Sequence, residues 1–367
     1  MSETDEFEIL KTCFARYGWD WMDFPDKSIT CKRKGNMYLY NYNDFGDVPR
    51  DHPVLVKCRG LVVNEDGKIL NYPFERFFNE FEKEAIKIQW ESAHVQEKLD
   101  GSLICVFWNG KDWEVTTRGS FYDDTLDKSM RFDKWFKEIF DKFEELSKEY
   151  CYMFELCTKK NRIVTKYEEE FVALLGVRSL KTHKELLPYS VGDIASKLGV
   201  EAPVTYPVNS MRINEIKERL SERADDFEGF VVVDLLGNRI KIKSDRYMNL
   251  ARIKELKQKE IFEYILGRLE IDQEYLHVFP EVEQEIKRMK KIWEDYKVQI
   301  RETFDKIKSR QTRKEFALEA IKYPYKNFLF CLYDSKDLDV SATFSSVEKI
   351  FCNGKEHICE GCYNDRE

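Results

Sequence analysis

Lys98 stands in Glu97-Lys98-Leu99-Asp100-Gly101-Ser102, between an acid and an Asp-Gly turn. Other charges fall where a core strand would exclude them. Glu155 lies inside Tyr-Met-Phe-Glu-Leu-Cys, Glu228 lies in Asp-Phe-Glu-Gly-Phe-Val-Val-Val, and Arg59 opens Arg-Gly-Leu-Val-Val. Lys241 and Lys243 alternate with Ile240 and Ile242, which places both lysines on one face of a strand. Singly, these residues read as a surface lysine, a solvated edge strand or buried ion pairs; a buried charge is tolerated when it is paired or serves a ligand. Together they describe one chemistry. Two lysines and an arginine make a cationic cradle for phosphates. Two carboxylates can orient a hydrated Mg²⁺ and bond a ribose. Lys98 can be a nucleophile, but only as the neutral amine, and its free pKa is about 10.4. Repulsion from the cradle is expected to lower that value. Attack then falls on phosphorus and gives a lysyl phosphoramidate; a Schiff-base lysine would want a carbonyl substrate and an electron sink.

The elements that must hold these groups are readable in outline. Lys98 is expected at the mouth of a hairpin formed by residues 103–108 and 113–117, joined through Asn109-Gly110. Before it come a helix over residues 7–18 and strands over 37–42, 54–63 and 69–73. An aromatic block then holds Arg76 in Phe74-Glu75-Arg76-Phe77-Phe78-Asn79. After it, the spacing predicts a helix over 124–149, with strands over 152–156, 163–167 and 171–177. Helices follow over 191–198 and 212–223, then strands over 227–235 and 239–243. From about residue 250 the pattern turns helical: Ile286, Met289, Trp293, Tyr296 and Ile300 recur every three or four positions. Further helices are expected over 250–269 and 313–321. The fold class is α+β: an antiparallel-sheet domain over residues 1–249, then an all-α domain over 250–367.

The 367 residues allow two domains. With 43% hydrophobic and 35% charged residues the chain reads as a globular protein, and no apolar run nears the roughly 20 residues of a membrane span. The acidic start and ten scattered cysteines fit reduced thiols in a cytoplasm better than a disulfide frame. A net charge of −8 excludes a uniformly basic coat, so a nucleic acid would have to meet a local groove. The phosphate loops of other nucleotide enzymes, G-x-x-x-x-G-K-[ST] and G-x-G-x-x-G, are absent.

In order along the chain, these motifs resemble the covalent nucleotidyltransferases, a superfamily with an ATP-grasp-like ligase domain that comprises RNA ligases, DNA ligases and mRNA capping enzymes. Lys98-Leu99-Asp100-Gly101 looks like motif I, and Arg118-Gly119-Ser120 like motif Ia. Phe154-Glu155 looks like motif III, residues 171–177 like motif IIIa, Glu228-Gly229-Phe230-Val231 like motif IV and Lys241-Ile242-Lys243 like motif V. Tyr40-Asn41-Tyr42, Cys58-Arg59-Gly60, the Arg76 block and Lys243-Ser244-Asp245-Arg246-Tyr247 resemble the phage-type ATP-dependent RNA ligase 1 group. Arg76 departs from it, because lysine is frequent there.

The resemblance implies that Lys98 carries AMP. It implies that Tyr40, Arg59, Arg76, Glu97, Arg118, Glu155, Lys241, Lys243 and Tyr247 form the ATP site. Val231 and a motif IIIa side chain would sandwich the adenine. Glu228 would serve Mg²⁺ or Mn²⁺ through water, Asp100 is a second candidate for orienting metal and hydroxyl, and Asp272 is a further metal candidate, with a helix-capping aspartate as the alternative. The implied partners are RNA with 5′-phosphate and 3′-hydroxyl ends, including cleaved tRNA, and a polynucleotide kinase/phosphatase that prepares such ends. A monomer is expected.

DNA ligases and capping enzymes usually continue into a β-barrel, whereas this chain continues into helices. A DNA ligase, a GTP-dependent guanylyltransferase and a non-catalytic RNA-binding scaffold are the rival readings. Cys352, His357, Cys359 and Cys362 crowd the Cys-rich tail at about 350–367, where a Zn²⁺ site and loose reduced thiols are both open.

Overall fold

The computed structural model describes residues 28–43, 46, 48–122, 131–207, 213–223, 226–272, 276–309 and 312–352. The helix expected over 7–18 and residues 353–367 of the Cys-rich tail lie outside them. The chain divides into two compact units, Met1–Met248 and Asn249–Glu367.

The first unit holds three sheets. One is a meander of β1 (Ile29–Lys34), β2 (Met37–Tyr42), β3 (Arg59–Asn64) and β4 (Ile69–Asn71). The site sheet runs β11 (Thr205–Pro207), β6 (His94–Lys98), β12 (Gly229–Val233), β13 (Arg239–Lys243), β5 (Phe78–Asn79). It is antiparallel except for the β13–β5 pair. The third sheet runs β10 (Phe171–Ser179), β9 (Tyr150–Cys157), β7 (Ser102–Trp108), β8 (Trp113–Thr117).

Period-2 sequence decides which faces are buried. Ile240 and Ile242 join Val95, Phe230 and Val232 in a core against Ile216 of α4 (Ile213–Ser221). That leaves Arg239, Lys241 and Lys243 on the opposite face. In the third sheet Ile104, Val106, Phe154 and Leu156 pack on α2 (Phe132–Ile139) and α3 (Pro188–Leu198) through Phe136 and Val191. Phe154 meets Phe136 and Phe140 at ring-centroid distances of 5.2 Å. Burying each such ring stabilises the fold by roughly 1.5–3 kcal/mol. The other face presents Leu103, Cys105 and Met153 to Phe74 and Phe77.

Four expected elements differ, one of them in the second unit, where the helix expected over 250–269 is broken at residues 255–257 between helices Asp245–Lys254 and Gln258–Ile265. Residues 54–63 are not one strand: His52 accepts the amide of Val54 and Pro53 takes the first helical position, so α1 (Pro53–Lys57) precedes β3. Residues 163–167 form no strand, because the amides of Val164 and Thr165 donate to the Asp100 carboxylate instead of a ladder. Of 124–149, residues 124–130 lie outside the described residues; in the rest α2 stops at Ile139, and Phe140 turns extended to join the aromatic cluster.

The second unit is helical among the described residues. After α5 (Asp245–Lys254) and α6 (Gln258–Ile265) comes the long α7 (Pro280–Ile307), with proline in its first turn. It buries Ile286, Met289, Trp293 and Ile300 on one face. Trp293 donates to Asp339 at 2.7 Å. The helices α8 (Arg313–Ala320), α9 (Lys326–Tyr333), α10 (Leu338–Ser341) and α11 (Phe344–Cys352) complete it.

Candidate active site

Lys98 is the last residue of β6, and Ser102 is the first of β7 in another sheet. The turn through Asp100 and Gly101 therefore carries the chain between sheets. Gly101 donates its amide to Glu155 Oε1 at 3.0 Å. A side chain there would meet the Leu156 carbonyl oxygen at 2.5 Å, so the crossing needs glycine.

Strand register assembles the rest. Gly229 lies opposite Lys98 on one side and Lys243 on the other, and Val231 lies between Gln96 and Lys241. Gly229 has φ of 142°, and a Cβ on it would stand 2.2 Å from the Ile242 carbonyl oxygen. This conformation sets the Glu228 carboxylate between the two lysines: Lys98 Nζ lies 2.7 Å from Oε2 and Lys243 Nζ lies 2.8 Å from Oε1. Glu228 is 4% exposed.

A cavity of about 290 Å³ opens over this row. Of the expected residues, Arg59, Glu97, Lys98, Arg118, Glu155, Glu228, Val231, Lys241 and Lys243 line it. Arg59 and Lys241 both sit over the Phe77 ring. Arg118 donates to the Tyr42 hydroxyl at 2.8 Å. Glu97 accepts from Arg223 at 2.6 Å and Tyr206 at 2.8 Å.

Five expected residues are placed elsewhere. Tyr40 is fully buried in the core of the first meander; Tyr42, at the strand end, lines the cavity in its stead. Arg76 packs its guanidinium 4.2 Å from the Tyr42 ring and lines a neighbouring cavity. Asp100 has both carboxylate oxygens filled: Oδ2 accepts the Val164 and Thr165 amides at 2.7 Å, and Oδ1 accepts the Tyr247 hydroxyl at 2.6 Å. Asp100 and Tyr247 thus brace the turn, and neither lines the cavity. Asp272 is exposed and belongs to the second unit. No three-residue His, Cys, Asp or Glu cluster suited to a metal occurs among the described residues.

Sequence reasoning left out Gln96 and Arg239 and gave Leu175 only as an unspecified side chain of residues 171–177; all three line the cavity. Arg239 was legible, two positions before Lys241 on the same strand face. Leu175 was not: the β10–β9 register slips between Leu174 and Gly176, and the slip turns Leu175 toward the site.

The electrostatics correct one expectation. Burial alone would push the Lys98 ammonium down, but Glu228, Glu155 and Asp100 outweigh it and hold it above its ordinary value. The depressed lysine is Lys241, pulled to about 8 by burial and then by Lys243, Lys98 and Arg59. Burial, reinforced by Glu228, lifts the Glu155 carboxyl to about 7, against the opposing pull of Lys98 and the Gly101 amide. The donor set fits a nucleotide and a hard cation: hard carboxylate oxygens of Glu155 and Glu228, clustered cations and apolar faces from Val231 and Leu175.

A family model described as RNA ligase matches residues 57–248, more than half of the chain. The chain is 25% identical to the RNA ligase of Rhodothermus phage RM378 over 390 aligned positions, covering 85% of this chain and 88% of that protein. It is 33% identical over 248 positions to the Autographa californica nuclear polyhedrosis virus protein named "Putative bifunctional polynucleotide kinase/RNA ligase", covering 59% of this chain and 33% of that protein. An archaeal ATP-dependent RNA ligase structure aligns over 75% of each chain at 14% identity and a TM-score of 0.47. The matched family places the chain among the covalent nucleotidyltransferases. Within that class, this chain belongs to the phage-type ATP-dependent RNA ligase 1 family.

Proposed function

We propose that the protein is an ATP-dependent RNA ligase that joins RNA 5′-phosphate and 3′-hydroxyl ends. The observation that carries the reading is the Lys98–Glu228–Lys243 row at the cavity floor, within the segment matched by the RNA ligase family.

At rest Glu228 holds Lys98 as an ammonium. Attack requires that proton to leave and the ion pair to loosen. The amine then forms a P–N bond to the α-phosphate of ATP while the bond to pyrophosphate breaks. Next an RNA 5′-phosphate oxygen attacks the same phosphorus, and the P–N bond breaks. Last, an RNA 3′-hydroxyl attacks the activated 5′-phosphate, forms the phosphodiester and expels AMP, its proton passing to solvent or a nearby base. Arg59, Arg118, Lys241 and Lys243 neutralise phosphate charge in each step. Val231 and Leu175 supply apolar faces for the adenine, and Glu155 is placed to accept from the ribose. Glu228 and Glu155 would hold Mg²⁺ or Mn²⁺ through water, and the ion would neutralise phosphate oxygens.

The viral relative named for both kinase and ligase activities supports a link to an enzyme that prepares RNA ends. Repair of cleaved tRNA by a monomer is the finer reading. No helix among the described residues is long and apolar enough to cross a membrane, which is compatible with work in a cytoplasm.

The test uses ATP labelled on the α-phosphate, Mg²⁺ and denaturation of the protein. Label that survives denaturation and is lost in Lys98→Ala is the expected result. Absence of label in folded, AMP-free protein would remove the mechanism.

A further inference from the structure

A second cavity, of about 720 Å³, adjoins the first and shares two of its wall residues, Phe77 and Arg239. At one end the Glu185 carboxylate sits between two guanidiniums, Arg178 and Arg239, the latter at 2.7 Å. The trio keeps one net positive charge; Lys184 and Arg76 also line the cavity, as do the acids Asp51, Glu75 and Glu84. Arg178 is 7% exposed, and its Nε has no hydrogen-bond partner among the described residues. Next to it His183 adopts φ of 58°, in a tight turn where Ser179 Oγ accepts the amides of Lys181 and Thr182. A non-glycine residue rarely takes that conformation, and such strain collects at ligand sites. At the lip, Leu235 and Leu236 are 55% and 68% exposed, and Ile86 is 51% exposed.

A guanidinium floor under an apolar lip suits one nucleotide within a single strand, which offers a phosphate and a flat base. We propose that this cavity binds a nucleotide of the RNA strand close to the end being joined; the proposal rests on the ligase reading above. An RNA whose end reaches Lys98 must leave the nucleotide cavity over one of its walls, and the Phe77–Arg239 wall opens onto this second cavity. The phosphate lies at Arg178, Arg239 and Lys184, and the base lies against Leu235, Leu236 and Ile86.

The test compares the wild-type protein, Lys184→Glu/Leu236→Asp and Lys184→Arg. Each is assayed for self-labelling by ATP without RNA. Each is also titrated by fluorescence anisotropy against a single-stranded RNA of about ten nucleotides with a 5′-hydroxyl, which cannot be joined. Equal labelling is expected in all three. The double variant should bind RNA about tenfold more weakly or worse, and Lys184→Arg should bind as wild type does. Unchanged affinity in the double variant overturns the proposal. DNA of the same sequence that binds as tightly, and loses the same factor, overturns the assignment to RNA. A wild-type protein that takes no label defeats the ligase reading alone, because RNA affinity is read separately. If the double variant fails to label, Lys184→Glu and Leu236→Asp taken singly carry the same comparison.

Discussion

Glu228 and Glu185 each sit between two cations in the first unit, yet the two arrangements do different things. Glu228 lies between lysines, Glu185 between arginines. Both are largely buried, with side-chain exposures of 4% and 14%. A guanidinium stays charged at any pH the protein survives, so the Glu185 trio is a fixed strut. An ammonium can give up its proton, so the Glu228 trio can be disassembled by the reaction. Cation type, rather than geometry, separates a site that can do covalent work from one that can only bind.

Lys98→Arg breaks that comparison most severely. It keeps the charge and can keep the Glu228 pair, but it offers no neutral amine, so covalent labelling by ATP should vanish while the melting temperature holds within a few degrees. Glu228→Gln comes next. It should slow labelling by about 10²–10³-fold, as loss of a positioned charged group does. It also removes the anion that raises Lys98, so the ascending limb of the labelling-rate profile should move to lower pH. A limb that stays in place would mean Glu228 does not hold the lysine proton.

Gly229→Ala should lower the urea midpoint by an amount equivalent to about 2 kcal/mol or more, since its Cβ has no room and its φ suits glycine. Lys241 gives a smaller, pH-dependent effect. Its pKa of about 8 in the free protein means that its charge fades above that pH, so affinity for a non-cleavable ATP analogue should fall as pH rises through 8. Lys241→Arg should flatten that limb. Least of all, Tyr247→Phe removes one 2.6 Å bond to Asp100. It should cost about 1–2 kcal/mol in thermal unfolding and slow labelling only a few-fold.

Much of this site could be read from sequence because its devices are local. Ile240 and Ile242 alternate with the lysines, and alternation fixes a strand face. The Asn109-Gly110 pair fixes the hairpin after Lys98. What could not be read depends on partners distant in sequence. Tyr38, Tyr40 and Tyr42 share a parity that predicts one face, but that face is the meander core. Gly60 has no partner in the β2–β3 register, and past that irregularity only Tyr42 reaches the cavity. The aspartate of the Asp-Gly turn looked catalytic, yet one of its oxygens serves the amides of Val164 and Thr165, more than sixty residues away, and the other the Tyr247 hydroxyl. The amine of Lys98 was expected to be lowered by cations; its nearest neighbour turned out to be an anion.

The crossing at Asp100-Gly101 has a consequence for how activity is lost. Glu228 comes from the sheet that Lys98 ends, and Glu155 from the sheet that Ser102 begins. The site is therefore a logical conjunction: it exists only while both sheets are folded and docked through the brace of Val164, Thr165, Tyr167 and Tyr247 on Asp100. Neither sheet alone carries a fraction of the chemistry. Self-labelling in rising denaturant should switch off as one step, and the enzyme doubles as a gauge of its own tertiary integrity.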